Sequence, residues 1–206
     1  MVEISDSVKE NRDYLVQLDA AIGDGDHGIN MTRGFAAVVQ ALETEVDVPP
    51  GRLLILAGKT LVSAVGGASG PLWGTALRRA GRSLGESATF DTVQLSEALD
   101  AALAGIVDLG AASPGDKTMV DALTPAAQAL RDQVTAGASA TEAVSAAAAA
   151  AEHGRDATEP MQARKGRASY LGERSVGHID PGSVSAALVM RALERRSQGI
   201  DHGLVT

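Results

Sequence analysis

Apolar residues recur with helical spacing along almost the whole chain. Ile4, Val8, Leu15 and Leu18 predict a first amphipathic helix, with Ser7 and Glu10 spaced as a capping box at its start. Met31, Phe35, Val38 and Leu42 lie at i, i+4, i+7 and i+11 and predict a second. Pro49-Pro50 breaks the chain before a third, marked by Leu53, Leu56, Leu61 and Ala64. Pro71 suits the first position of a fourth, with Ser69 as its cap. Val93, Leu99, Leu103 and Ile106 form a fifth, closed by Gly110. A sixth runs from about Lys117 to Val134 and must accommodate Pro125, and Ser139 with Glu142 caps an alanine-rich seventh. Residues 154–180 show no period, and Asp180-Pro181 then opens an eighth through Val184, Leu188, Met190 and Leu193. No fixed repeat and no long linker interrupts the pattern. The expectation is an all-α fold of about eight helices, with residues 1–206 forming a single domain.

Composition agrees with that pattern. Among 206 residues there are 37 alanines and 23 glycines but only five aromatics, which disfavours sheets and favours helices packed through small side chains. A chain of this size buries roughly 70% of its unfolded surface, so it needs no metal or disulfide to fold. It has no cysteine, which excludes thiolate chemistry and zinc–thiolate sites. The formal net charge of −8 argues against nucleic acid and anionic membranes as partners. No apolar run approaches the ~18 residues of a membrane span. The start, Met1 to Asp6, lacks a basic stretch followed by an apolar one, so a cytoplasmic location is expected.

Chemistry concentrates in the segment LDAAIGDGDHGINMTRGF, residues 18–35. Gly23, Gly25 and Gly28 spell GxGxxG, and Glu43 follows Gly23 by 20 residues. A dinucleotide fingerprint must follow a buried strand, however, and the flanks here are helical. Two aspartates also occupy the intervening positions. Carboxylates ~6 Å apart repel by roughly 3 kcal/mol at an effective dielectric near 20, so a cation is expected among Asp19, Asp24 and Asp26. Oxygen-only ligands point to Mg²⁺, Mn²⁺ or Ca²⁺. An EF-hand fails, because Ile29 and Phe35 stand where its glycine and glutamate belong. Magnesium fits better, since it completes its shell with phosphate oxygens and water. An Asx-turn between two helices is the plainer alternative.

Three further loops have phosphate character. GGASGPLWGT, residues 66–75, places small residues before a helix start, where successive N–H groups can form an anion nest. GDKTM, residues 115–119, enters another helix. GRASYLGERSVGHIDPGS, residues 166–183, is the longest aperiodic stretch and carries two arginines that can compensate phosphate charge. His178 reads as a structural histidine, and His153 and His202 as surface residues.

Taken in order along nearly the whole chain, these four segments resemble the nucleotide-binding L subunit, or L domain, of dihydroxyacetone kinases. The resemblance implies a barrel of eight antiparallel α-helices. It implies that Asp19, Asp24 and Asp26 bind two Mg²⁺ ions that clamp the phosphates of ADP or ATP. His27, Gly28, Ile29 and Asn30 match a phosphate-contacting stretch, and Ala68 and Ser69 match another. Gly110, Met119, Arg167, Asp180, Pro181 and Gly182 match further nucleotide contacts. Adenine would rest on aliphatic and backbone surface.

The family works in two modes: one polypeptide using ATP, or separate subunits. In the second, bound ADP is rephosphorylated by a phosphohistidine donor protein of the phosphotransferase system. The phosphoryl group then passes to dihydroxyacetone on a K subunit. With no second domain in view, this chain resembles the separate subunit, with no covalent intermediate of its own and a homodimer as a further expectation. Its first helix is expected to be shorter than the family's, and Trp73 stands where the family often has another aromatic. Three rivals are kept: an ATP-dependent kinase subunit for another hydroxyketone, a nucleotide-state sensor for a transcription regulator, and a metal-dependent phosphohydrolase using His27 as base.

Overall fold

The helical spacing is realised as nine α-helices and one 3-10 segment in a computed structural model that describes residues 1–202, with side chains through 199. They are α1 (Val2–Glu10), α2 (Arg12–Ile22), α3 (His27–Leu42), α4 (Pro50–Ala64), α5 (Ser69–Leu84), α6 (Thr92–Gly110), α7 (Met119–Thr135), α8 (Ala140–Asp156) and α9 (Pro181–His202). The 3-10 segment spans Arg167–Ser175. The fold is all-α, as the apolar spacing required.

Most boundaries follow local chemistry. Ser139 caps α8 by accepting from the Glu142 N–H, while the Glu142 carboxylate accepts from the Ser139 N–H. Asp91 with Gln94 and Thr118 with Asp121 build the same reciprocal cap on α6 and α7. Three departures from expectation have identifiable causes. The first predicted helix is two, because the Asn11 side chain donates to the Ser7 carbonyl at 2.8 Å and ends α1 there. Ser7 is therefore buried inside α1 rather than capping it. Helix α5 begins at Ser69 itself, so Pro71 is its third residue, still in the turn whose amides lack intrahelical partners.

The helices form a closed ring. Each packs on the next from α3 through α9, and α9 returns to α1 and α2, which both lie on α3. Arg195 Nε donates to Glu3 at 2.6 Å across the closure. Arg191 bridges α8 and α9 by pairing with Glu152 and, within α9, with Glu194.

Glycine sets the closest approach. A Cβ on Gly58 of α4 would stand 2.6 Å from the Gly74 carbonyl oxygen, and one on Gly74 of α5 would stand 2.7 Å from that of Gly58. Gly51 and Gly81 oppose one another further along the same two helices. The pairing runs backwards in sequence, so α4 and α5 are antiparallel and touch backbone to backbone. Pro125 inside α7 has no N–H for the Asp121 carbonyl, and Gly154 of α8 lies against that carbonyl instead. Alanines Ala143, Ala147, Ala148 and Ala151 line the buried side of α8. Inside the ring, Trp73 meets Phe35 edge to face at 6.4 Å. It also borders an apolar cavity of about 810 Å³ lined by Leu53, Leu77, Leu99 and Leu193.

Gly51→Ala is expected to lower stability by about 1–3 kcal/mol through overpacking against the Gly81 and Gly85 carbonyls. Gly199→Ala, on α9 with open space around it among the described residues, should not lower stability, because alanine favours helix. Paired thermal melts read both signs.

Candidate functional site

Ring topology decides where the site lies. Neighbouring antiparallel helices alternate in direction, so α3, α5, α7 and α9 begin at the same end. Their first residues line one cleft of about 270 Å³: Asp26 and His27, Ala68 and Ser69, Thr118 and Met119, and Asp180 to Gly182. The unpaired amides and positive dipole ends of four helices thus converge on one volume. Such an end favours anions.

The three aspartates stand at this convergence. Oxygens of Asp19, Asp24 and Asp26 lie within 4.8 Å of one another. Asp19 comes from the last turn of α2 and is nearly buried, 9% exposed. Its Oδ2 accepts from the Asp26 N–H at 2.9 Å and from the His27 N–H at 3.0 Å, so it caps α3 from outside that helix. Gly25 takes φ +74, the left-handed conformation that lets residues 23–26 fold back and bring Asp24 and Asp26 to Asp19. Asp24 also pairs with Arg167 at 3.0 Å. The donor set is oxygen only, as a hard divalent cation requires.

His27 is held from both sides. Its Nε2 lies 3.2 Å from Ser185 Oγ and its Nδ1 lies 3.2 Å from Ser69 Oγ. Ser185 Oγ donates to the Gly182 carbonyl at 2.9 Å, and a neutral ring can meet both serines, donating from one nitrogen and accepting at the other. Burial pushes the imidazole pKa below its ordinary value, against the pull of Asp19 and Asp26. Both ring nitrogens are thus occupied by serine hydroxyls. The Asp180 carboxyl accepts from the Ser183 N–H at 2.6 Å at the start of α9. Burial pushes its carboxyl up to about 7, with the Ser183 hydrogen bond opposing the shift.

Twelve of the fifteen residues expected at the site line this cleft. Gly28, Ile29 and Asn30 do not. Gly28 packs against the Arg12 carbonyl of α2, Ile29 is exposed, and Asn30 accepts from Arg33 at 2.8 Å. Ile22, Leu72, Ile106, Ala112 and Val120 supply aliphatic wall that motif reading did not single out, and among the described residues no Phe, Tyr or Trp lines the cleft. For the four on helices the signal was the helical period of core residues, which does not distinguish core from wall; Ala112 lies between α6 and α7 and had none. His178 is exposed rather than structural, and only its carbonyl is engaged; His153 is exposed as expected, and the His202 side chain lies outside the described residues.

Comparison with known proteins now adds to the geometry. The DAK2 domain model matches residues 21–195. The chain is 42% identical over 193 residues to the ADP-binding subunit DhaL of the PEP-dependent dihydroxyacetone kinase of Escherichia coli K12, covering 94% of this chain and 92% of that one. It is 43% identical to the L-erythrulose 1-kinase of Mycolicibacterium smegmatis, covering 89% of this chain and 32% of that protein. The crystal structure of the C. freundii dihydroxyacetone kinase in complex with AMP-PNP and Mg²⁺ superposes with a TM-score of 0.71 at 28% identity, over 94% of this chain and 32% of that one. No helix among the described residues is long and apolar enough to cross a membrane. Motifs, ring and matched length agree: the chain belongs to the DAK2 domain family.

Proposed function

We propose that this chain is the ADP-binding phosphotransfer subunit of a dihydroxyacetone kinase. In this reading, bound ADP is rephosphorylated by a phosphohistidine donor protein, and the phosphoryl group passes to dihydroxyacetone on a separate K subunit. The observation that carries the reading is the meeting of three carboxylates within 4.8 Å where four helix N-termini converge. Relatives matched over nearly their whole length, named as ADP-binding subunits of PEP-dependent kinases, support it.

Each residue then has a task. Asp19, Asp24 and Asp26 would hold Mg²⁺, two ions in the family's pattern. When bound, the metal neutralises charge on the phosphates. First-turn amides at Ala68 and Ser69 face the same anion, and Arg167 adds a cation opposite Asp24. His27 acts by orientation: its bonds to Ser69 and Ser185 fix the start of α5 against α9. The aliphatic wall gives adenine a dry surface without stacking. Gly110, Met119, Pro181 and Gly182 line the same cleft and complete its wall. No nucleophile of this chain is required, since phosphoryl transfer depends on positioning and charge neutralisation. A similar site would serve an ATP-dependent hydroxyketone kinase, the other mode of the family.

Two measurements test the reading. Asp24→Asn and Asp26→Asn should keep the helical circular dichroism yet weaken Mg²⁺-dependent ADP binding roughly 10–100-fold in a titration; wild-type phosphotransfer in either variant sinks the metal assignment. Asp19→Ala should lose the same binding and also about 0.5–2 kcal/mol of stability, because it removes the cap on α3. Separately, denaturing freshly purified protein should release near-stoichiometric ADP on anion exchange. An empty protein that turns over free ATP would favour the ATP-dependent mode.

A further inference from the structure

Lys117 is a buried charged side chain that this mechanism does not use. It is 1% exposed, as deeply buried as the aliphatic core. Its Nζ has four main-chain carbonyls within hydrogen-bond reach, so that its three N–H groups are shared among Thr158 at 2.9 Å, Met161 at 3.0 Å, Glu159 at 3.3 Å, and His178. Every one of these acceptors belongs to the connection between α8 and α9. Three sit where that connection leaves α8 and the fourth sits just before α9 begins. The ammonium therefore pins both ends of a loop whose middle carries Arg167 to Asp24 and whose last residue is Asp180.

The backbone is bent to allow this. Lys117 takes φ +62, a left-handed conformation that a long side chain rarely adopts. Around it, smaller bonds complete the closure: Gly177 N–H to the Glu159 carbonyl at 2.8 Å, Arg164 N–H to the Asp116 carbonyl at 3.1 Å, and Asp180 N–H to Thr158 Oγ1 at 3.0 Å. An ammonium suits such a cage because it offers three donors and one charge to converging carbonyl dipoles. Water offers two donors and an apolar side chain none.

We infer that Lys117 is a positioning residue for the nucleotide cleft: its ammonium serves as a built-in cation that holds the 158–178 connection, and with it Arg167 and Asp180, in the geometry that receives the nucleotide. The inference rests on the nucleotide reading above and adds the device that sets one wall of the cleft. Removing the ammonium takes from the Met161 and His178 carbonyls their donor and from Thr158 and Glu159 their second one, while the helical ring stays intact, so the loss falls on the loop.

The test uses the full chain as wild type, Lys117→Ala and Lys117→Met. Mg²⁺–ADP affinity is measured by calorimetric titration and amide exchange is followed over residues 157–180. Both variants should keep the helical circular dichroism, lose exchange protection in 157–180 and bind ADP roughly tenfold more weakly. In the reconstituted reaction KM for the nucleotide should rise while kcat changes little. n-Propylammonium supplies the atoms that Lys117→Ala lacks. It should restore protection and affinity to that variant, but not to Lys117→Met, whose side chain fills the channel; tetramethylammonium should restore neither. A folded Lys117→Ala with wild-type ADP affinity overturns the inference. Weakened binding that propylammonium does not restore overturns it too, and so does collapse of the whole helical fold in both variants. If the wild type itself binds no ADP, the nucleotide reading fails separately, and the exchange pattern over 157–180 still decides whether Lys117 holds the loop.

Discussion

Alternation of helix direction around a closed ring is the constraint from which the site follows. Each short connection reverses the chain, so every second helix begins at the same end. Four sets of unpaired amides are gathered there without any residue being chosen for that purpose. Left alone, such an end is strongly electropositive. The chain answers with Asp19, whose carboxylate caps α3 while sitting on α2. One side chain thereby closes a helix, sets the α2–α3 turn and offers its remaining valence to a cation. Structural and chemical duties cannot be separated at that position.

Legibility in the sequence divides by distance. The Ser139–Glu142 cap and the Pro49-Pro50 break act within a few residues and were readable as written; α6 does end at Gly110, but the left-handed residue that stops it is Ala111. The acidic loop was readable too, and its three closely spaced aspartates among glycines bring their carboxylates within 4.8 Å. Asn11 was not readable, since a short polar residue inside an apolar period is compatible with helix until its side chain takes the Ser7 carbonyl. Lys117 was quoted within a motif yet had no visible task. Its acceptors are main-chain carbonyls some forty to sixty residues away, which leave no side-chain signature. The 3-10 turn at Arg167–Ser175 was likewise hidden in an aperiodic stretch.

Glycine carries two kinds of information in this chain. At Gly25 and Gly67 it provides backbone that turns the wrong way for other residues. At Gly51, Gly58, Gly74 and Gly81 it provides the absence of a side chain between α4 and α5. Within the motif stretches themselves, Gly28 makes the same kind of room against the Arg12 carbonyl of α2, and Gly34 against Val65. Alanine on α8 extends the same logic by one methyl. It loses no rotamer freedom on burial, so the helices approach closely at little entropic cost.

The scarcity of aromatics leaves one tryptophan, buried at 4% exposure and set edge-on to Phe35. Trp73 lies one turn beyond Ser69, on the helix whose first residues face the cleft. Its indole therefore sits on the rigid rod that joins the polar end of the ring to its apolar interior. The ultraviolet emission of this protein comes essentially from that single point. Its wavelength and anisotropy form a natural optical gauge of whether events at the cleft stay local or travel down α5 into the ring.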